Sequence, residues 1–152
     1  MPHEALTDDE WRAWQSLLAM TDDLLRGLDR QLRRRADLSA PEFAVLDRVV
    51  GAGRWGVRLS ELAGALQWEQ SRLSHQVRRM EQRGLVVRSS CPTDGRGAVV
   101  GCTPSGRDAL RAAAPEHAAE VRRVFLAALT PAQVVALAEI CDAVRAHNGT
   151  GC

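Results

Sequence analysis

Between positions 59 and 85 the chain reads Leu59-Ser60-Glu61-Leu62-Ala63-Gly64-Ala65-Leu66-Gln67-Trp68-Glu69-Gln70-Ser71-Arg72-Leu73-Ser74-His75-Gln76-Val77-Arg78-Arg79-Met80-Glu81-Gln82-Arg83-Gly84-Leu85. Ser60 reads as the N-cap of a short helix ending at Leu66, and a second helix is predicted from about Glu69 to Arg83. Gly84 falls at the position after the helix end, and Leu85 is placed to pack back on Met80, as a Schellman ending requires. Two short helices joined by a tight turn form a helix-turn-helix unit. At 100° per residue, Leu73, Val77, Met80 and Gly84 share the face that must be buried. Ser71, His75, Arg78, Arg79 and Gln82 lie roughly opposite, with Arg72 and Gln76 at the flanks.

Downstream, Val86–Ser89 and Ala98–Cys102 read as strands around Pro92-Thr93-Asp94-Gly95-Arg96-Gly97, whose Asp-Gly is a hairpin signal. Thr103-Pro104 then opens a long helix toward Leu129, in which Pro115 is expected to cause a kink or break near Ala114. Upstream, Leu6-Thr7-Asp8-Asp9-Glu10-Trp11 and Leu38-Ser39-Ala40-Pro41-Glu42-Phe43 each join a capping box to a hydrophobic staple. Leu129-Thr130-Pro131-Ala132-Gln133-Val134 repeats the pattern. They predict helices over about 8–34, 40–50 and 131–147, the second stopped by the glycine-rich stretch 51–56. On the first helix, Trp11, Trp14, Leu18, Leu25, Leu28 and Leu32 form a seam and Leu17 and Leu24 a second stripe, which calls for partner helices in this chain or in another.

The chain has 152 residues, 45% hydrophobic and 26% charged, a globular composition with room for one ordinary domain. No apolar run reaches the roughly 18 residues of a membrane span, and the acidic N-terminus lacks a signal core, so a cytoplasmic protein is expected. The net charge of +1 selects no partner, but residues 71–97 hold six Arg against two acids. A basic island in an otherwise acidic chain is the footprint of a phosphate-binding surface, although a solvated helix face carries similar charges.

Helix, short helix, long helix and hairpin is the order of a winged helix-turn-helix, which places one helix in the major groove of duplex DNA and its hairpin near the minor groove. Gln70, Ser71, Arg72, Ser74 and His75, at the N-terminal end of the second helix, are placed for base edges. Arg78, Arg79 and Arg83 are placed for phosphates, which position a protein without reading sequence. Arg96 suits minor-groove insertion, and Asp94 is assigned to holding Arg96 or the turn.

At this point the chain resembles the MarR (multiple antibiotic resistance regulator) family. Asp94-Gly95-Arg96 followed by a strand, Thr103-Pro104 and Gly106 is similar to that family's wing and next helix start. Leu59-Ser60-Glu61-Leu62-Ala63 and Arg79-Met80-Glu81-Gln82-Arg83-Gly84-Leu85-Val86 are similar to its helix-turn-helix. Cys102 stands where the family usually has Leu, and Gly95 where many members carry a basic residue. The resemblance implies a mainly α fold with a small β-hairpin wing, a winged helix-turn-helix at 37–103 flanked by dimerisation helices at 1–36 and 104–152. It also implies a homodimer on a pseudo-palindromic operator, acting as a repressor that lets go of DNA when a small aromatic or anionic effector binds.

For such an effector, Trp11, Trp14, Asp47, Arg48 and Trp55 are the candidates, since aromatic faces beside an Arg suit a planar anion; core packing is the competing role for the tryptophans. Cys91, Cys102, Cys141 and Cys152 have no metal-ligand spacing, so neither a metal nor another cofactor is expected. Cys91 and Cys102 could face each other across the hairpin as a redox switch. His3, His75, His117 and His147 gather no nucleophile-base constellation, so no enzymatic activity is expected. A helical module whose winged domain docks protein is the alternative from another class.

Overall fold

The computed structural model describes residues 6–90 and 97–149. In chain order these form α1 (Asp8–Ala36), α2 (Ala40–Gly51), β1 (Val57–Arg58), α3 (Leu59–Leu66), α4 (Gln70–Gln82), β2 (Val86–Ser90), β3 (Ala98–Cys102), α5 (Pro104–Val124), a 3-10 turn (Leu126–Ala128) and α6 (Pro131–Gly149).

All three capping boxes close. The Thr7 N–H donates to Glu10 Oε2 at 2.7 Å and the Glu10 N–H to Thr7 Oγ1 at 3.3 Å. Ser39 with Glu42 and Thr130 with Gln133 repeat the exchange at α2 and α6. At the start of α2 the Ala40 N–H also donates to Asp29 Oδ1 of α1 at 2.7 Å, so a second orphan donor of that helix is satisfied from another element.

Two compact units result, one over Leu25–His117 and one over Met1–Leu24 with Ala118–Cys152. In the first, α2, α3, α4 and the front of α5 enclose a core of Leu32, Leu38, Val45, Leu46, Val49, Leu62, Leu73, Val77, Met80, Val86 and Val100, each almost wholly buried. The sheet is antiparallel in the order β1-β3-β2, with Val57 opposite Val100 and Val86 opposite Cys102. In the second unit no described residue is buried, and Trp14, Leu17, Leu18, Val135, Ile140 and Val144 stand between 45% and 59% exposed. The α1 seam is thus covered within the chain at Leu32 and open at its other end. Among the described residues no single helix is long and apolar enough to cross a membrane.

Four expectations are corrected. The sheet has a third strand, β1, too short to leave a period in the sequence. The N-cap of α3 is Arg58, with no side-chain cap bond, and Ser60 lies inside the helix. Pro115 does not break α5, which continues to Val124; only the N–H that would reach back to Arg111 is missing. The long helix ends there and gives way to the 3-10 turn before Leu129.

Candidate nucleic-acid interface

The first turn after α4 sets how that helix is held. Gly84, at φ +72°, is in the left-handed region; its N–H donates to the Glu81 carbonyl and the Leu85 N–H to that of Met80, both at 2.9 Å. That is the Schellman ending, and it turns the buried Leu85 under the helix.

Leu73, Val77 and Met80 form the buried face of α4, while Gln70, Ser71, Arg72, His75, Arg78, Arg79 and Gln82 are exposed and Ser74 is half-buried. The exposed side therefore combines hydrogen-bonding groups and guanidinium charge with no large apolar residue. Arg72 lies over the ring of half-buried Trp68, its Cζ 4.5 Å from the centroid. That stacking restricts a flexible side chain at the N-terminal end of α4. Gln76, expected at a flank, is instead buried, and its Oε1 accepts from Arg79 Nη2 at 2.5 Å.

Arg83 is occupied elsewhere. Its Nη1 donates to both Glu42 carboxylate oxygens at 2.7 and 2.8 Å, and its Nη2 to the Asp37 carbonyl and Oδ2 at 2.7 and 2.8 Å. Arg83, expected at a phosphate, has a structural role in the protein itself: the guanidinium ties the end of α4 to the end of α1 and the start of α2. Burial pushes the Glu42 carboxyl up, but the Ser39 N–H, the Arg83 guanidinium and the Ser39 hydroxyl outweigh it and hold it below the usual carboxylate range.

Asp94 and Arg96, like Cys91 and Cys152, lie outside the described residues. At the hairpin base Cys102 pairs with Val86, whereas Ser90, the residue before Cys91, pairs with Ala98 four residue pairs along the ladder. The expectation that Cys91 faces Cys102 falls on a residue outside the described ones. Burial also pushes the Cys102 thiol up, with Arg107 opposing, so it stays protonated and weakly nucleophilic.

Two further residues belong near α4 and were missed. Arg88 on β2 and Ser60 on α3 line one recess with Gln70. Arg88 counted toward the basic island, but nothing local in the sequence ties it to the start of α3.

The effector candidates are divided between the units: Trp11 and Trp14 in one, Asp47, Arg48 and Trp55 in the other. Trp55 is 80% exposed with Arg54 over its ring at 4.8 Å, so it is no core residue. Asp47 and Arg48 are exposed. Sequence reasoning also passed over His117. Its ring lies 4.5 Å from that of Phe43, centroid to centroid, and its buried Nδ1 has no hydrogen-bond partner among the described residues. Burial pushes its pKa down, with Asp47 opposing.

The profile of the MarR family matches residues 38–97. Among solved structures, the chain is similar to AbsC, a MarR family transcriptional regulator from Streptomyces coelicolor, at 33% identity over 95% of this chain and 97% of that one, with a TM-score of 0.88. It is similar to Sco3205 of the same organism, a MarR family transcriptional regulator solved in complex with DNA, at 37% identity over 91% and 87% of the two chains and a TM-score of 0.89. CouR from Rhodococcus jostii RHA1, solved bound to p-coumaroyl-CoA, matches at 25% identity over 85% and 86%, with a TM-score of 0.69. No curated protein matches the chain.

Proposed function

The chain belongs to the MarR family of transcriptional regulators, and from that premise we propose that it binds a pseudo-palindromic operator as a homodimer and represses transcription until a small aromatic or anionic effector releases it. The observation that carries the reading is the outward side of α4, a helix whose other side is sealed into the core and whose exposed residues are donors to base edges and phosphates. Ser71, Arg72 and His75 read bases, with Gln70 and Ser74 beside them. Arg78 and Arg79 meet phosphates, and Arg96, steadied by Asp94, reaches the minor groove from the wing.

Residues 1–36 and 104–152 form the dimer around the winged domain at 37–103. What supports this is the apolar surface of the second unit, where Trp14, Leu17, Leu18, Val135, Ile140 and Val144 are exposed in a single chain. The effector candidates are Trp11 and Trp14 in one unit and Asp47, Arg48 and Trp55 in the other, where His117 adds an Nδ1 with no hydrogen-bond partner among the described residues. The relative bound to p-coumaroyl-CoA supports an effector with an aromatic part and anionic charge. The protein acts in the cytoplasm and by binding alone, without a catalytic step.

Selection of bound genomic fragments at about 0.15 M salt, where phosphate contacts still permit specificity, tests the reading. A few intergenic fragments sharing a palindrome, lost with an Arg72→Ala/Arg96→Ala double substitution, are the expected result; no fragment above background would turn the search to protein partners. Singly, Arg96→Ala is expected to weaken operator binding by about 1–3 kcal/mol. Arg72→Ala is expected to cost a similar amount and to relax sequence preference at one position per half-site. A uniform loss over all sequences would make Arg72 a phosphate contact instead.

A further inference from the structure

The starts of α3 and α4, the middle of β2 and the start of β3 meet around a recess of about 450 Å³, lined by Arg58, Leu59, Ser60, Gln70 and Arg88 together with Gly97 and Ala98. Two Arg, a Ser and a Gln thus line one space, and among the described residues no Asp or Glu lines it. Glu81 is committed to main chain: its Oε1 accepts from the Arg88 N–H at 3.0 Å. That bond fixes strand β2 against α4 and leaves the exposed Arg88 guanidinium unneutralised by Glu81. Gly97 and Ala98 contribute no long side chain to the recess. Neither Arg58 at the head of α3 nor Glu69 at the head of α4 makes a side-chain cap bond, so main-chain donors there add to a site that the side chains define.

We propose that this recess seats one backbone phosphate of duplex DNA in each half-site, with Arg88 as its principal charge and Ser60 and Gln70 as neutral donors. The seat rests on the DNA-binding reading above and deepens it, because it fixes the register in which α4 enters the groove. Gln70 is the first residue of α4. A phosphate held there therefore sits beside the base-reading end of the helix, and the hairpin is locked to the same phosphate through β2. A guanidinium suits this task better than an ammonium for bidentate contact, yet most of the charge term survives an Arg88→Lys change. Sequence preference does not depend on such a contact, whereas salt dependence does.

The experiment uses the full chain and the palindromic duplex recovered in the fragment selection, titrated from about 0.05 to 0.2 M salt, the range in which counterion release is steep. For the dimer, Arg88→Gln is expected to lower the slope of log K against log salt by about 2, one phosphate per half-site at about 0.9 each. The loss should be equal for operators with altered bases. Arg88→Lys should keep the slope, and Ser60→Ala should weaken binding without changing it. Uncharged methylphosphonates are then placed at one backbone position at a time. One position per half-site should weaken the wild type and leave Arg88→Gln unaffected, with the melting temperatures of both proteins alike. An unchanged slope in Arg88→Gln, or no position at which the two losses cancel, overturns the seat and leaves DNA binding standing. Failure of the wild type to bind any duplex removes both.

Discussion

Gly106→Ala is expected to remove a large part of the protein's folding stability. Gly106 is the third residue of α5, and its N–H donates to Thr103 Oγ1 at 2.9 Å. That hydroxyl in turn reaches the Gly84 and Leu85 carbonyls at 2.6 and 3.0 Å, and the Thr103 N–H donates to Leu85 at 3.2 Å. The start of α5 is therefore drawn onto the chain leaving α4. A methyl group at position 106 would penetrate the Leu85 carbonyl oxygen and stand 2.9 Å from the carbonyl carbon and 3.1 Å from Cys102 Sγ. Because the obstruction is main chain held by the Schellman ending, no rotamer relieves it. A cost above about 4 kcal/mol is expected, in the range reserved for major disruption, against a total stability of about 5–15 kcal/mol for a domain. Thermal unfolding followed by circular dichroism reads it, with Gly64→Ala as the control. Gly64 lies in α3 with nothing within 4 Å of an added Cβ, so that change should stabilise by about 0.5–1 kcal/mol. Similar melting curves for the two variants would mean that α5 is not clamped to the end of α4.

Local grammar made the helices legible. A capping box needs only residues i and i+3, and the Schellman ending only Met80, Gly84 and Leu85, so α1, α2, α4 and α6 could be placed without knowing what they pack against. The buried and exposed sides of α4 followed from the same 100° step. What escaped reading is non-local. β1 consists of two residues defined by pairing with Val99 and Val100, some forty positions on. The rotation of Gln76 into the core depends on neighbours that a helical wheel does not contain. Arg88 and Ser60 share a recess because of the sheet order and the α3–α4 turn, not because of spacing. Pro115 misled for a related reason: its rule concerns an isolated helix, whereas packing of Leu110 and Ala113 in the core holds α5 as it approaches that residue.

Arg83 carries the same lesson into the second large effect. Charge and helical phase made it a phosphate contact, but its partner Glu42 lies 41 positions away and was read only as a capping residue. Arg83→Ala is expected to destabilise the protein by about 2–4 kcal/mol, somewhat below the range for breaking a fully buried pair because the Arg83 side chain is 38% exposed. The larger share comes from Glu42, 6% exposed, whose carboxylate would keep its Ser39 bonds and lose its counter-charge. Arg83→Lys should recover only part, since the three donors of an ammonium cannot replace the four contacts to both Glu42 oxygens and to the Asp37 carbonyl and Oδ2. The pH dependence separates this account from simple loss of packing. A carboxyl held below its unfolded pKa contributes stability above that unfolded value and loses it as pH falls through the folded one. Wild-type stability should therefore fall on acidification from about pH 5 downward, the region in which carboxylates bind protons. In Arg83→Ala the force holding Glu42 down is weakened while burial still pushes it up, so that acid limb should flatten. DNA affinity should fall with stability held constant by lower temperature, because the end of α4 is no longer tied to α1 and α2. An Arg83→Ala protein with wild-type melting behaviour and reduced salt slope would return this residue to the phosphate contacts.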